Sequence, residues 1–164
     1  MSLYYPQSFG EIEIIRHWVN DQLEDTVDNP GIFTVAVLDK DEPNKILAGA
    51  IFSNHSKNNI FLSGAISREG IGKVTKECLS DMLWVAFRKP FNCLRITALV
   101  SETNKRSQRF MEGLGFTKEG ELRDYLEGGK NTFVYGLTKS DYLGGAYGWR
   151  QRRRREATGL RAAN

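Results

Sequence analysis

Apolar residues along this chain recur with helical period in some stretches and strand period in others. Ile12, Ile15, Val19 and Leu23 fall near helical spacing, and Ser8-Phe9-Gly10-Glu11 ahead of them has the Ser-x-x-Glu form of a capping box, so a helix is predicted over about 9–24. Asp28-Asn29-Pro30-Gly31 signals a turn. Ile32 to Leu38 alternates and is rich in β-branched residues, which predicts a strand. Asp39 to Lys45 reads as a hairpin loop, Ile46 to Phe52 as the returning strand, and Ile60 to Ser67 as a third strand after a polar loop. Cys78, Leu79, Met82, Leu83 and Ala86 then form an apolar stripe on a helix predicted over about 73–88, ended by Lys89-Pro90. Leu94 to Val100 reads as a strand. Asn104 to Leu114 reads as a short helix with Ser107, Phe110, Met111 and Leu114 on one face and Gly115 as its cap. Strands at about 116–123 and 132–138 follow.

Adjacent strands mixed with strand–helix–strand crossovers imply an α/β (α+β) domain, a mixed sheet with helices packed on it. No repeat or linker divides residues 1–142, which read as one domain. Residues 143–164 are glycine-rich and then arginine-rich, with no apolar period, and are expected to form a peripheral or flexible tail.

Composition narrows the picture. With 164 residues, 40% hydrophobic and 26% charged, the chain is an ordinary globular length and mix. It has no apolar run of the roughly 18 residues that span a bilayer, and its N-terminus lacks the basic and apolar regions of a signal peptide, so a cytoplasmic location without membrane contact is expected. Two cysteines and two histidines exclude a disulfide framework and the usual zinc arrangements. The net charge of +3 is uneven. Six arginines and one glutamate give residues 143–164 a charge of +5, which leaves −2 on the rest. Arg152, Arg153, Arg154 and Arg155 would bind nucleic-acid phosphates, hold an acidic partner, or simply be solvated.

The most suggestive local chemistry is a strand, then Arg68-Glu69-Gly70-Ile71-Gly72-Lys73, then a helix. Backbone N–H groups at a helix start attract anions, Gly70 and Gly72 would let a phosphate approach the backbone, and Arg68 and Lys73 add positive charge. The same loop also reads as a plain strand-to-helix turn. It matches neither the G-x-x-x-x-G-K-[ST] phosphate loop nor, with Thr75 in the third glycine's place, the dinucleotide fingerprint.

The segment LRITALVSETNKRSQRFMEGLGFTKEGELRDY carries Asn104, Ser107, Gly115, Phe116, Glu119, Gly120 and Arg123 in one register. In this it resembles the GNAT acetyltransferases, most closely the ribosomal-protein N-terminal acetyltransferase branch and phage-encoded relatives. The resemblance covers roughly residues 30–140. It implies the GNAT fold, a mixed central sheet of about six to seven strands with helices on both faces. It implies acetyl-coenzyme A as cofactor, with its pyrophosphate on the loop of Ser67, Arg68, Gly70, Ile71, Gly72 and Lys73. Its pantetheine arm would pair with the backbone of Ala65, Ile66 and Ser67, and Asn104 and Ser107 would lie near the pantetheine and the thiol. A backbone N–H near Ala65 or Ile66 would serve as oxyanion donor. The implied reaction is direct acetyl transfer to a primary amine, on a small molecule or a protein N-terminus.

The chain departs from the family pattern at three places. Ser67 stands where arginine or glutamine is usual, Met111 where many members have a tyrosine acid, and the third strand lacks a carboxylate. Ser107 is the candidate replacement acid and His55 the candidate base, while Tyr125 and Tyr135 are further donors that the sequence does not choose between. Glu119 and Arg123 are expected to pair with each other or to line the substrate side. A homodimer is allowed. The competing readings are a GNAT-fold binding protein without catalysis, viral or associated with nucleic acid, and a toxin that acetylates charged tRNA.

Overall fold

Local sequence signals account for most element ends in the computed structural model, which describes residues 3–23, 33–149 and 151–153. The elements are β1 (Leu3–Tyr4), α1 (Phe9–Gln22), β2 (Phe33–Leu38), β3 (Ile46–Ser53), β4 (Asn59–Ile66), α2 (Lys76–Phe87), β5 (Arg95–Ser101), α3 (Lys105–Leu114), β6 (Thr117–Leu126), β7 (Lys130–Thr138) and α4 (Lys139–Gly144). The Ser8 hydroxyl accepts from the Glu11 amide at 3.3 Å and starts α1. Gly115, at φ 96°, closes α3 as a left-handed cap. Helix α2 begins three residues later than its apolar stripe suggests, because the Thr75 hydroxyl accepts from the Cys78 amide and fixes the start at Lys76.

Among the described residues, seven strands form one sheet in the order β1-β2-β3-β4-β5-β7-β6, with one parallel pair, β4–β5. The expected mixed sheet and helices on both faces are both present. Alternation along β2 sends Val35 and Val37 to one face and Ala36 to the other. The larger core lies under α2 and α3 and is filled by Phe52, Ile60, Phe87, Ile96 and Leu137. The smaller one lies under α1, where Ile15 and Val19 meet Ala36 and Ile51. Gly49 lets α1 settle closely, since a Cβ there would lie 2.7 Å from Val19 Cγ2.

Two elements had no expectation, β1 and α4. Helix α4 is capped by Thr138, whose hydroxyl accepts from the Asp141 amide at 3.0 Å. The packed body also extends past residue 142. Tyr142 is buried, and its hydroxyl lies 3.1 Å from Ser80 Oγ, donating toward the Ser80 carbonyl and Gln151 Oε1. Ser80 Oγ donates in turn to the Tyr147 carbonyl at 2.5 Å. Arg152 donates to the carbonyls of Leu143 and Gly145 at the end of α4. Through Gln151 this segment is tied to α2, and Arg152 commits one guanidinium nitrogen to the end of α4. Arg153 lies over the Trp149 ring, 5.6 Å from its centroid, and Arg154 and Arg155 fall outside the described residues.

Removing the Tyr142 hydroxyl strands the polar atoms it serves in a buried site, which costs about 1–3 kcal/mol. Tyr142→Phe is expected to lower the urea midpoint accordingly with an unchanged slope, and an unaltered midpoint would show the cluster to be energetically silent.

Candidate active site between strands β4 and β5

The site exists because β4 and β5 pair only briefly. They are in register at Asn59–Arg95, Ile60–Ile96 and Phe61–Thr97, and then they diverge. Each stays paired with its outer neighbour, β4 with β3 as far as Ile66 and β5 with β7 as far as Ser101. The closed end is tied by side chains as well. Thr97 Oγ1 donates to Asn59 Oδ1 at 2.7 Å, and the Arg95 Nε–H donates to Thr97 Oγ1 at 3.1 Å. Arg95 then forms a forked ion pair with Glu119 at 2.5 and 2.8 Å. The Glu119 carboxylate lies across Gly136 to reach it, where a Cβ would stand 2.6 Å from the carboxyl carbon. Glu119 thus pairs with Arg95 and not with Arg123.

Past Phe61 and Thr97 the gap opens into a cavity of about 210 Å³. Leu62, Ser63 and Gly64 of β4 form one wall, residues 98–101 of β5 the other, and Asn104, Ser107 and Met111 of α3 lie beneath. Asn104 caps α3 by accepting from the Ser107 amide at 2.9 Å, and Ser107 and Met111, one turn apart, both reach the cavity. Asn104 and Ser107 stand together at the site as expected. Met111 takes the place of the family tyrosine there and carries no exchangeable proton.

The ladder decides which β4 backbone groups face the gap. The Ser67 amide donates to the Leu47 carbonyl at 2.9 Å, so the antiparallel alternation also turns Ala65 and Ser63 toward β3. The N–H and C=O groups of Leu62, Gly64 and Ile66 point into the gap instead. Of the expected trio Ala65, Ile66 and Ser67, only Ile66 turns its backbone toward the gap, alongside Gly64 and Leu62, which the sequence does not single out. Strand period alone could have identified them, given one ladder bond.

The loop after β4 differs from its sequence reading in two ways. Gly70 is buried, and its missing side chain makes room for the Leu47 carbonyl rather than for a phosphate. Gly72, at φ 86°, is the glycine that faces open space. The amides of Gly70, Ile71, Lys73 and Val74 close turns inside the loop onto Ser67 and Gly70. Lys73 also has a partner. Its Nζ lies 2.8 Å from Oδ2 of Asp39, which is 3% exposed, and Lys45 bridges Glu42 and Glu69 alongside. Arg68 and Ile71 are exposed. The loop is thereby strapped to the β2–β3 hairpin, and Lys73 brings little unpaired charge.

His55 does not line the cavity. Its ring is exposed and packs edge-on against Phe91, with centroids 5.5 Å apart. Tyr135 is 1% exposed and its hydroxyl donates to Glu112 Oε1 at 3.3 Å, and burial raises its pKa. Tyr125, by contrast, borders the cavity. Among the described residues, no cluster of histidine, cysteine or acidic side chains could hold a metal, and no helix is long and apolar enough to cross a membrane.

No protein-family model matches this chain, and neither does any curated protein. Solved structures do match. Spermidine N-acetyltransferase from Vibrio cholerae, in complex with CoA and spermine, is similar with a TM-score of 0.65 over 87% of this chain and 97% of that one, at 16% identity. Ribosomal-protein-S5-alanine acetyltransferase from Vibrio fischeri is similar with a TM-score of 0.57 over 81% of this chain and 69% of that one, at 23% identity. The fold is that of the GNAT acetyltransferases.

The Asp39–Lys73 pair generates a pH prediction. The Lys73 ammonium, aided by the Asp41 amide, holds the Asp39 carboxyl below its ordinary value, and Asp39 raises Lys73 in return. A carboxyl lowered on folding stabilises the protein above its unfolded pKa, about 3.9, and loses that contribution as pH falls through the folded value. Asp39→Asn is expected to lower stability at neutral pH and to flatten the acid side of the stability–pH curve below about pH 4. An acid limb identical to wild type would show that the strap contributes nothing.

Proposed function

We propose that this protein is an N-acetyltransferase that moves an acetyl group from acetyl-coenzyme A to a primary amine and works in the cytoplasm. The observation that carries the reading is the gap between β4 and β5, an open strand edge leading into a cavity with a hydroxyl at its base. A pantetheine arm carries amides that can pair with the gap-facing groups of Ile66 and Gly64, as an added strand would. The diphosphate would then lie at the loop of 67–75, where Gly72 leaves open space beside the backbone and Arg68 is exposed.

The chemistry follows from what borders the cavity. The amine attacks the acetyl carbonyl, a C–N bond forms, and the C–S bond breaks with its electron pair on sulfur. The carbonyl oxygen gathers charge as this happens, and the gap-facing amide of Leu62 is positioned to donate to it. Ser107 donates a hydrogen bond to the sulfur, and Asn104 holds the start of α3 against the arm. The cavity has no charged side chain among the described residues, so the amine enters neutral and sheds its surplus proton as the amide forms. His55 has no part in this, since its ring faces Phe91.

The acceptor is a small polyamine or a protein N-terminus. The V. cholerae neighbour, whose bound partner is spermine, supports the first, and the V. fischeri neighbour, named for an alanine of a ribosomal protein, supports the second. One observation favours a binding protein without catalysis, the diversion of Lys73 to Asp39 in the very loop that should hold phosphate.

Calorimetric titration with acetyl-coenzyme A is expected to show one site per chain, and thiol release is expected with a member of a panel containing spermidine and alanine-terminated peptides. No binding at millimolar cofactor would refute the transferase, and binding without turnover on any amine would favour the binding protein.

A further inference from the structure

Regular pairing between β6 and β7 ends at Leu122–Thr132 and resumes at Leu126–Lys130. Arg123, Asp124 and Tyr125 therefore stand opposite Asn131 alone, a bulge with two residues too many on β6. Asp124 takes the left-handed conformation there, at φ 52°, an uncommon one that aspartate adopts more readily than most residues with a side chain. Asn131 holds the bulge. Its Oδ1 accepts from the Asp124 amide at 3.0 Å, its Nδ2 donates to Glu121 Oε1 at 2.7 Å, and its own amide donates to Glu102 Oε1 at 3.0 Å. Glu102 follows the last residue of β5, so Asn131 ties the bulge to the strand that walls the cavity.

The bulge changes where side chains go. Successive residues of a regular strand face opposite ways, yet Tyr125 and Leu126 both border the cavity. Among the described residues that line the cavity, Tyr125 is the only titratable side chain, and it is 46% exposed. Bulges beside functional clefts commonly re-aim a side chain in this way.

We propose that Tyr125 is the proton donor of the acetyl transfer, presented to the cavity by the bulge that Asn131 stitches. This rests on the transferase reading above. When the C–S bond breaks, the thiolate takes the phenolic proton, and the phenolate is reprotonated by the proton that the new amide nitrogen sheds. The sum is amine plus thioester giving amide plus thiol, with nothing left over. A phenol can hand its proton to a departing thiolate. The alcohol of Ser107 is a far weaker acid, so Ser107 orients the sulfur and Tyr125 protonates it.

Two measurements on the full chain test this. The first needs no acceptor. Free coenzyme A bound to the protein is titrated by its ultraviolet thiolate absorbance. A tyrosine hydroxyl at the sulfur stabilises the thiolate, so Tyr125→Phe is expected to raise the bound thiol's pKa by about a unit, while coenzyme A affinity by calorimetry changes less than about twofold. In the second, with an amine that wild type turns over, Tyr125→Phe is expected to lower kcat by about a hundredfold at an unchanged KM for acetyl-coenzyme A. Asn131→Ala, which loosens the bulge but keeps the phenol, is expected to fall between the two. An unchanged thiol pKa together with a kcat within about twofold of wild type would overturn the assignment of Tyr125 and leave the transferase standing. Failure of the wild-type protein to bind coenzyme A would overturn both, and the wild-type titration alone distinguishes that case.

Discussion

Everything specific about this molecule depends on how little β4 and β5 pair. Three residue pairs join them, after which two strands that are each well bonded on their outer sides separate. A sheet interior does not leave backbone groups unpartnered without reason, because an unmet buried amide costs as much as a lost hydrogen bond. Here the backbone groups of Leu62, Gly64 and Ile66 face the gap with no strand opposite them. The divergence creates both an unpaired strand edge and the cavity at its base.

Other features support that opening. The chain Asn59–Thr97–Arg95–Glu119 fixes the narrow end, and Gly136 is required so that Glu119 can cross the strand between its own and that of Arg95. The ion pairs Asp39–Lys73 and Lys45–Glu69 tie the loop after β4 to the hairpin beside it. That strap exchanges electrostatic attraction for order. The loop is shaped in advance, with Gly70 locked on the Leu47 carbonyl and only Gly72 left open. Ser80, Tyr142 and Gln151 then fasten the C-terminal segment along α2, so the first part of the arginine run belongs to the folded body.

Much of this was legible in the sequence. Strand alternation, the Ser8 and Gly115 caps and the spacing of Asn104, Ser107 and Gly115 each depend on neighbours a few residues away, and the structure has them where the sequence puts them. The departure at Met111 was also visible, and the structure shows its consequence, a cavity floor without an acid. Helix α4 carries a legible signal too, Thr138 with Asp141 three residues on. The rest depends on contacts between distant residues. Gly70 reads as a phosphate glycine until the Leu47 carbonyl is seen against it, and Lys73 reads as free charge until Asp39 is placed beside it. Glu119 pairs with a residue 24 positions away rather than four. The bulge at Arg123 to Tyr125 has no compositional mark, since ordinary residues form it and a distant asparagine holds it.

The most direct test of the account is a crystal structure with coenzyme A bound. The pantetheine arm should lie in the gap, its amides bonded to the backbone of Gly64 and Ile66, with the diphosphate at Gly72 and the sulfur beside Ser107 and Tyr125. Coenzyme A bound elsewhere on the surface, or a gap between β4 and β5 filled by the protein's own side chains in the complex, would contradict it.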